Sequence, residues 1–138
     1  MYKFSRKSRE KLAQCHPDLQ KIFNEAIEII DLTITEGIRS VEKQEEYFRT
    51  GMSQTMHSKH LEQDDGFSHA TDAAPYPIDY EDKLRFAYYQ GIIQGISHIL
   101  HKNGETTHKV KSGIDWDGDG NIKEHSLFDG PHVELEDE

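Results

Sequence analysis

Two histidines and two aspartates in this chain have the types and spacing of a metal-assisted hydrolytic centre. His132 stands in Phe128-Asp129-Gly130-Pro131-His132-Val133-Glu134-Leu135, and a second cluster runs Ser58-Lys59-His60 and then Ala70-Thr71-Asp72-Ala73-Ala74-Pro75. His60, Asp72 and His132 offer two imidazoles and one carboxylate. Three N/O ligands with a fourth position open describe a catalytic zinc site rather than a closed structural one. The same ligands suit several transition ions, so zinc is inferred from chemistry. Asp129 is the spare acid, placed to serve as general base toward an attacking water. Gly130 permits an unusual turn and is biased away from helix by Pro131, a kink that brings Asp129 round to the side of His132. Glu134, two residues on in a strand, shares the His132 face and is a secondary candidate.

The elements that must hold these groups are legible as periodicities. Pro17 opens an amphipathic helix in which Leu19, Ile22, Phe23, Ala26, Ile29 and Ile30 face the core. Leu32-Thr33-Ile34-Thr35-Glu36 reads as a strand ended by Gly37. A polar helix covers Val41 to Arg49. A long helix from Tyr80 to Lys102 carries Leu84, Ala87, Tyr88, Ile92, Ile96, Ile99 and Leu100 on its buried side. His132 to Leu135 forms the last strand. The order of helices and strands points to a small α+β domain, its antiparallel sheet carrying the metal site and its helices packed on that sheet.

Residues 56–75 read as a hairpin turning at Asp64-Asp65-Gly66. Pairing centred on Gly66 sets His60 opposite Asp72, close enough for both to share an ion. His69 is the nearest rival ligand, but its odd offset from Asp72 directs it to the other face of a regular strand. His57 is a third possibility, and surface histidines in a polar loop are the plain alternative to all three. Arg39, just past a strand and a glycine, can hold a substrate carboxylate or stabilise an oxyanion, with Gln44 assisting. A surface arginine paired with Glu36 or Glu42 is the competing reading.

Asp115-Trp116-Asp117-Gly118-Asp119-Gly120-Asn121 resembles the first half of an EF-hand loop, which makes Asp115, Asp117, Asp119 and Asn121 candidate calcium ligands. The bidentate glutamate that closes such a loop is missing. Ser126 stands in its place, with Glu124 two residues earlier. A solvated acidic turn is the alternative.

Composition narrows the function classes. A chain of 138 residues suits one domain with a real core, and 34% hydrophobic with 30% charged residues suits a soluble one. Apolar runs fall short of the roughly 20 residues that span a bilayer. The basic start at Lys3, Arg6 and Lys7 is followed by no apolar stretch, so a secretory signal is not expected. Cys15 is the single cysteine, so an internal disulfide is excluded, and its setting is that of an ordinary small residue. A net charge of -10 argues against duplex nucleic acid and anionic membranes as partners.

With Gly113-Ile114-Asp115-Trp116 and Gly37-Ile38-Arg39-Ser40 added, the motifs carry a family resemblance. The chain resembles the phage endolysins that are L-alanyl-D-glutamate endopeptidases, within the larger zinc peptidase family of D-alanyl-D-alanine carboxypeptidases and dipeptidases. That pattern is Ser-x-His, a short turn, Ala-x-Asp, Gly-x-Asp-Trp, and an acid three residues before a C-terminal His. It occurs here in order over nearly the whole chain. The turn after His60 is about five residues longer than the family's, a change that loop-closure entropy tolerates.

The resemblance implies a zinc endopeptidase that cuts the L-alanyl-D-glutamate bond of peptidoglycan stem peptides to lyse a host. It implies zinc on His60, Asp72 and His132, Asp129 as base and then acid, and calcium as a regulator. It further implies one catalytic domain over residues 1–138 without a separate wall-binding module, acting as a monomer. Such an enzyme is made in the host cytoplasm and acts in the periplasm, with a holin encoded elsewhere opening the way. A D,D-carboxypeptidase using the same metal site is the alternative within the family. A non-catalytic calcium-binding module with incidental histidines is the alternative outside it.

Overall fold

Each helix starts where the sequence supplies an acceptor for its exposed N–H groups. In the computed structural model, which describes residues 1–122 and 128–137, Ser5 caps α1 (Arg6–Leu12) and His16 caps α2 (Pro17–Ala26) through its Nδ1. Ser40 caps α3 (Val41–Arg49), and Asp82 caps α4 (Lys83–Lys102). The strands are β1 (Leu32–Glu36), β2 (Ala70–Pro75), β3 (Val110–Ser112) and β4 (His132–Leu135). They form one antiparallel sheet in the order β1-β2-β4-β3. The α+β class is as expected. Both α1 and β3 add to the elements read from sequence.

The core lies between the sheet and the pair α2 and α4. Leu19, Ile22, Phe23 and Ala26 of α2 are buried with Ile30, whereas Ile29 is exposed. The long helix α4 differs from expectation by a rotation. Leu84 and Tyr88 are 84% and 64% exposed and Ile99 is also exposed, whereas Leu100 is buried and Ile92 and Ile96 pack against the core as expected; the rest of the buried face is Phe86, Tyr89, Gln90, Ile93 and Ser97. Two polar residues on that face disguise it. Gln90 is buried because its Nε2 donates to the carbonyls of Gly130 and His132 at 2.7 and 2.9 Å. Both N–H groups of the buried amide find acceptors, which offsets the cost of burying that end, so hydrophobicity alone misplaces the face.

The expected hairpin over residues 56–75 is also corrected. A tight turn does form at Gly66, with Gln63 N bonded to Phe67 O at 2.9 Å. Its only bridge is Glu62 to Ser68, and it does not continue to pair His60 with Asp72. The physical reason is occupancy: β1 takes one edge of β2 and β4 takes the other. No edge of β2 remains for residues 57–62.

Candidate active site

Three neighbouring strands lay a row of polar side chains across one face of the sheet. Asp72 of β2 is the register partner of both Glu36 of β1 and His132 of β4. Strict alternation along β1 would send Glu36 to the same side as the buried Ile34. A bulge between Ile34 and Glu36 breaks that alternation, so Ile34 stays in the core and Glu36 turns to the site. Re-aiming a side chain beside a functional centre is a common use of such bulges.

His60 arrives from above this row on the loop before β2. Its carbonyl accepts from Arg39 N at 2.8 Å, and its own N–H donates to Ser58 Oγ at 3.1 Å, which fixes the backbone. The ring is buried, with Nε2 3.1 Å from His132 Nδ1 and 3.3 Å from Asp72 Oδ1. His132 Nδ1 is 3.5 Å from the same oxygen.

These three separations test whether an ion fits. Ligand atoms bound tetrahedrally at about 2.0–2.1 Å from zinc lie about 3.3–3.4 Å apart, close to the three distances found. Asp72 Oδ1 is moreover buried without a hydrogen-bond partner, although two imidazole nitrogens face it. A buried oxygen left without a hydrogen bond between two imidazole nitrogens is what a cation site looks like from its protein side. The residues present therefore fit zinc.

Each imidazole has a glutamate near its other nitrogen, hydrogen-bonded at His132 but only in charge contact at His60, whose Nδ1 makes no hydrogen bond. His132 Nε2 is 2.9 Å from Glu134 Oε1, and His60 Nδ1 is 3.4 Å from Glu36 Oε1. Such partners set which ring nitrogen faces an ion and in what orientation. Burial opposes charge on His132, but Asp72 and Glu134 outweigh it and raise its pKa to about 9. Burial likewise opposes charge on Asp72, and the two imidazoles overcome it and hold the carboxyl well below its usual range.

Asp129 reaches the same place through two close approaches. Its N–H donates to Gly113 O at 2.9 Å, and a Cβ on Gly113 would meet Asp129 O at 2.2 Å and His132 Cβ at 2.9 Å. A Cβ on Gly130 would meet the Phe86 ring at 2.6 Å. Only glycine lets this turn pack against both neighbours. Burial and the nearby Asp72 raise the Asp129 carboxyl above its ordinary value, against the pull of His132, His60 and Arg39. A carboxyl shifted upward is a better proton acceptor near neutrality.

Arg39 lies in the same cleft, about 790 Å³ in volume and also lined by Tyr47, Met52, Trp116 and Asp129. Both readings of Arg39 meet here, since Nε donates to Glu36 at 2.7 Å and Nη1 donates to Gln44 Oε1 at 2.8 Å. Its Nη2 also pairs with Glu36, and its guanidinium stacks 4.8 Å above the Tyr47 ring. Gln44 is fully buried and anchors the cluster to Ser53 and Thr55.

Of the rival histidines, His57 is exposed at the cleft rim, and His69 sits with Asp65 and His16 in a different group. Glu36 is the residue that sequence reasoning underrated. Its signal was an acid on the core side of an alternating strand, which only a bulge reconciles. Asp115, Asp117 and Asp119 do converge, with Asp115 Oδ2 accepting from Gly120 N at 2.9 Å and Asp119 Oδ1 from Asn121 N at 2.8 Å. Glu124 and Ser126 lie outside the described residues.

Comparisons with known proteins agree with this geometry. The profile of the family described as phage L-alanyl-D-glutamate peptidase matches residues 1–136. The chain is 32% identical over 146 aligned positions to an L-alanyl-D-glutamate peptidase of Escherichia phage T5, covering 97% of this chain and 98% of that one. It is also similar to the crystal structure of the L-Ala D-Glu endopeptidase ChiX of Serratia marcescens. That likeness has a TM-score of 0.76 and 26% identity, over 98% of this chain and 91% of the other.

Proposed function

Because this chain belongs to the phage L-alanyl-D-glutamate peptidase family, we propose that it hydrolyses the L-alanyl-D-glutamate bond of peptidoglycan stem peptides, with zinc held by His60, Asp72 and His132. The observation that carries the zinc assignment is the near-tetrahedral spacing of the three ligand atoms around the orphaned Asp72 Oδ1. Zinc bound there supplies Lewis acidity, polarising the scissile carbonyl and making the attacking water more acidic.

The chain's own groups do the rest. Asp129 takes a proton from the water as its oxygen bonds to the alanyl carbonyl carbon. It then returns that proton to the glutamyl nitrogen as the C–N bond breaks, and the second proton of the water passes from the new carboxyl group to the released amine, leaving a carboxylate and an ammonium group. Arg39 lines the cleft and has N–H groups beyond those given to Glu36 and Gln44, which are its donors for negative charge developing there. Glu134 holds the His132 ring in one tautomer and orientation, and Glu36 places a negative charge beside the other nitrogen of His60.

The same reading extends to the acidic loop and to the cell. Asp115, Asp117, Asp119 and Asn121 take calcium, and ordering this loop positions Asp129 and His132. The enzyme acts as a monomer, and residues 1–138 form its catalytic domain. It is synthesised in the host cytoplasm and meets peptidoglycan in the periplasm after a holin opens the membrane. Among the described residues no helix is long and apolar enough to cross a membrane.

Digestion of purified Gram-negative peptidoglycan, read by mass spectrometry, tests the proposal. Wild type loaded with zinc and calcium is expected to release stem peptides lacking L-alanine, and Asp129→Ala to release none. Free D-alanine as the sole product would assign the D,D-carboxypeptidase reaction instead. Equal activity with calcium and with a calcium-selective chelator would remove the regulatory role of the acidic loop.

A further inference from the structure

A second cluster of imidazoles and carboxylates lies away from the cleft. His16 at the start of α2, His69 just before β2 and His108 just before β3 hold their ring centroids 5.2, 5.0 and 6.1 Å apart. The catalytic pair His60 and His132 has a separation of 5.0 Å. Asp65 and Asp18 complete the group. His69 Nε2 is 2.7 Å and His16 Nε2 is 4.0 Å from Asp65 Oδ2, and His108 Nδ1 is 2.9 Å from Asp18 Oδ2.

Two overlapping triads are thus available, and they are not equivalent. Asp18 Oδ2 already receives Thr107 N, Thr107 Oγ1, His108 N and His108 Nδ1, all within 3.0 Å. That oxygen has no lone pair to spare, and this half of the cluster is a hydrogen-bonded clasp between α2 and the segment before β3. The other half is different. Asp65 is on a partly exposed turn, and the ligand atoms of His16, Asp65 and His69 all lie within 4.8 Å of one another. The donor set is two imidazoles and a carboxylate, the same as that of the catalytic centre.

We propose that His16, Asp65 and His69 form a second site for a divalent transition-metal ion of the zinc class, which staples the turn at residues 62–68 to the start of α2. The backbone prepares it: His16 N donates to Ser68 O at 2.9 Å and Ser68 N to Gln14 O at 3.0 Å. The ion takes the place of the proton between His69 and Asp65. At His16 the ring proton moves from Nε2 to Nδ1, so the bond that Nδ1 accepts from Asp18 N is exchanged for the one between Nε2 and the ion. His69 N also donates to Lys59 O at 2.8 Å, so the staple ends one residue from His60.

Zinc alone is the probe, and zinc per chain after stripping, reloading and desalting is the readout. Wild type is expected to hold two equivalents, and Asp65→Asn/His69→Gln and His60→Gln/His132→Gln one each. The variant with all four changes is expected to hold none. Zinc should also raise the Tm of His60→Gln/His132→Gln, and adding His16→Asn, which keeps a capping side chain, should abolish that rise. Retention of the wild-type count by Asp65→Asn/His69→Gln, or a Tm rise that survives His16→Asn, would overturn the second site. Retention of the wild-type count by His60→Gln/His132→Gln would instead refute zinc at the catalytic centre, leaving the two failures distinguishable.

Discussion

Gln90→Met tests the claim that one buried amide on α4 holds the catalytic turn. The substitution nearly conserves volume, so packing changes should cost little. Two hydrogen bonds are lost, and their consequences differ. His132 O still accepts from Gly113 N at 2.9 Å, so losing Gln90 removes only one of its two donors. Gly130 O loses the donor at 2.7 Å. An orphaned buried carbonyl costs about 1–3 kcal/mol, and a lost but compensated bond about 0.5–1.5 kcal/mol. Against this, Gln90 Oε1 is itself buried without a partner, and removing it recovers part of the loss.

The net expectation is a destabilisation of about 1–3 kcal/mol. With an unfolding entropy of about 2.1 cal/mol/K per residue, each kcal/mol lowers the Tm of a chain this long by about 3–4 °C. Urea unfolding of the metal-free protein avoids linkage to zinc and should show a lower midpoint at an unchanged m value. Gln94→Met is the control, because Gln94 is exposed and its bond to Val110 O is 3.4 Å long. It should stay within about 0.5 kcal/mol of wild type. A Gln90→Met protein as stable as the control would refute the reasoning.

Gly113→Ala should keep the fold and lower kcat/KM by at least about tenfold, a loss of about 1.4 kcal/mol of transition-state stabilisation, because the new Cβ meets Asp129 O and His132 Cβ. Circular dichroism and peptidoglycan digestion together check it, and wild-type activity would show that the turn has slack. Glu134→Gln should weaken zinc binding by about 10–100-fold, measured by competition with a chromophoric chelator, since it removes the carboxylate behind His132. Tyr89 supplies the pH prediction. Burial, aided by Asp72 and Asp129, raises its phenol well above the ordinary value. A folded pKa above the unfolded one gives stability that is present below pH about 10 and lost as pH rises through the folded value. Tyr89→Phe should lose the bond to Pro131 O and flatten the alkaline fall in urea midpoint; an unchanged fall would assign it to other groups.

What the sequence reveals depends on how local each cause is. His60, Asp72, Asp129 and His132 stand out in the sequence because they combine unusual residue types with short-range turn signals; the structure brings His60, Asp72 and His132 together, with Asp129 lining the same cleft. The path to that arrangement was not legible. Sequence reasoning paired His60 with Asp72 through a hairpin, because neighbouring segments are the only partners that a local reading can see. The true partners of Asp72, Glu36 and His132, are distant in sequence and were hidden by a bulge and by the insertion of β4 beside β2. The buried face of α4 failed for a related reason: Gln90 looks solvent-facing until the carbonyls it serves are known. The family of His16, His69 and His108 was likewise invisible, since nothing in their spacing foretells that three segments meet.

The position of β4 has a consequence for the timing of synthesis. This strand follows all the others in sequence yet lies inside the sheet, between β2 and β3. It brings His132, and the turn before it brings Asp129. Domains made on the ribosome fold from the N-terminus as chain emerges, so the earlier strands must wait with a gap between them. The nascent chain then has neither a closed sheet nor a complete proton-transfer group. A message cut short before β4 leaves a fragment that lacks both His132 and Asp129, however far its earlier strands have folded.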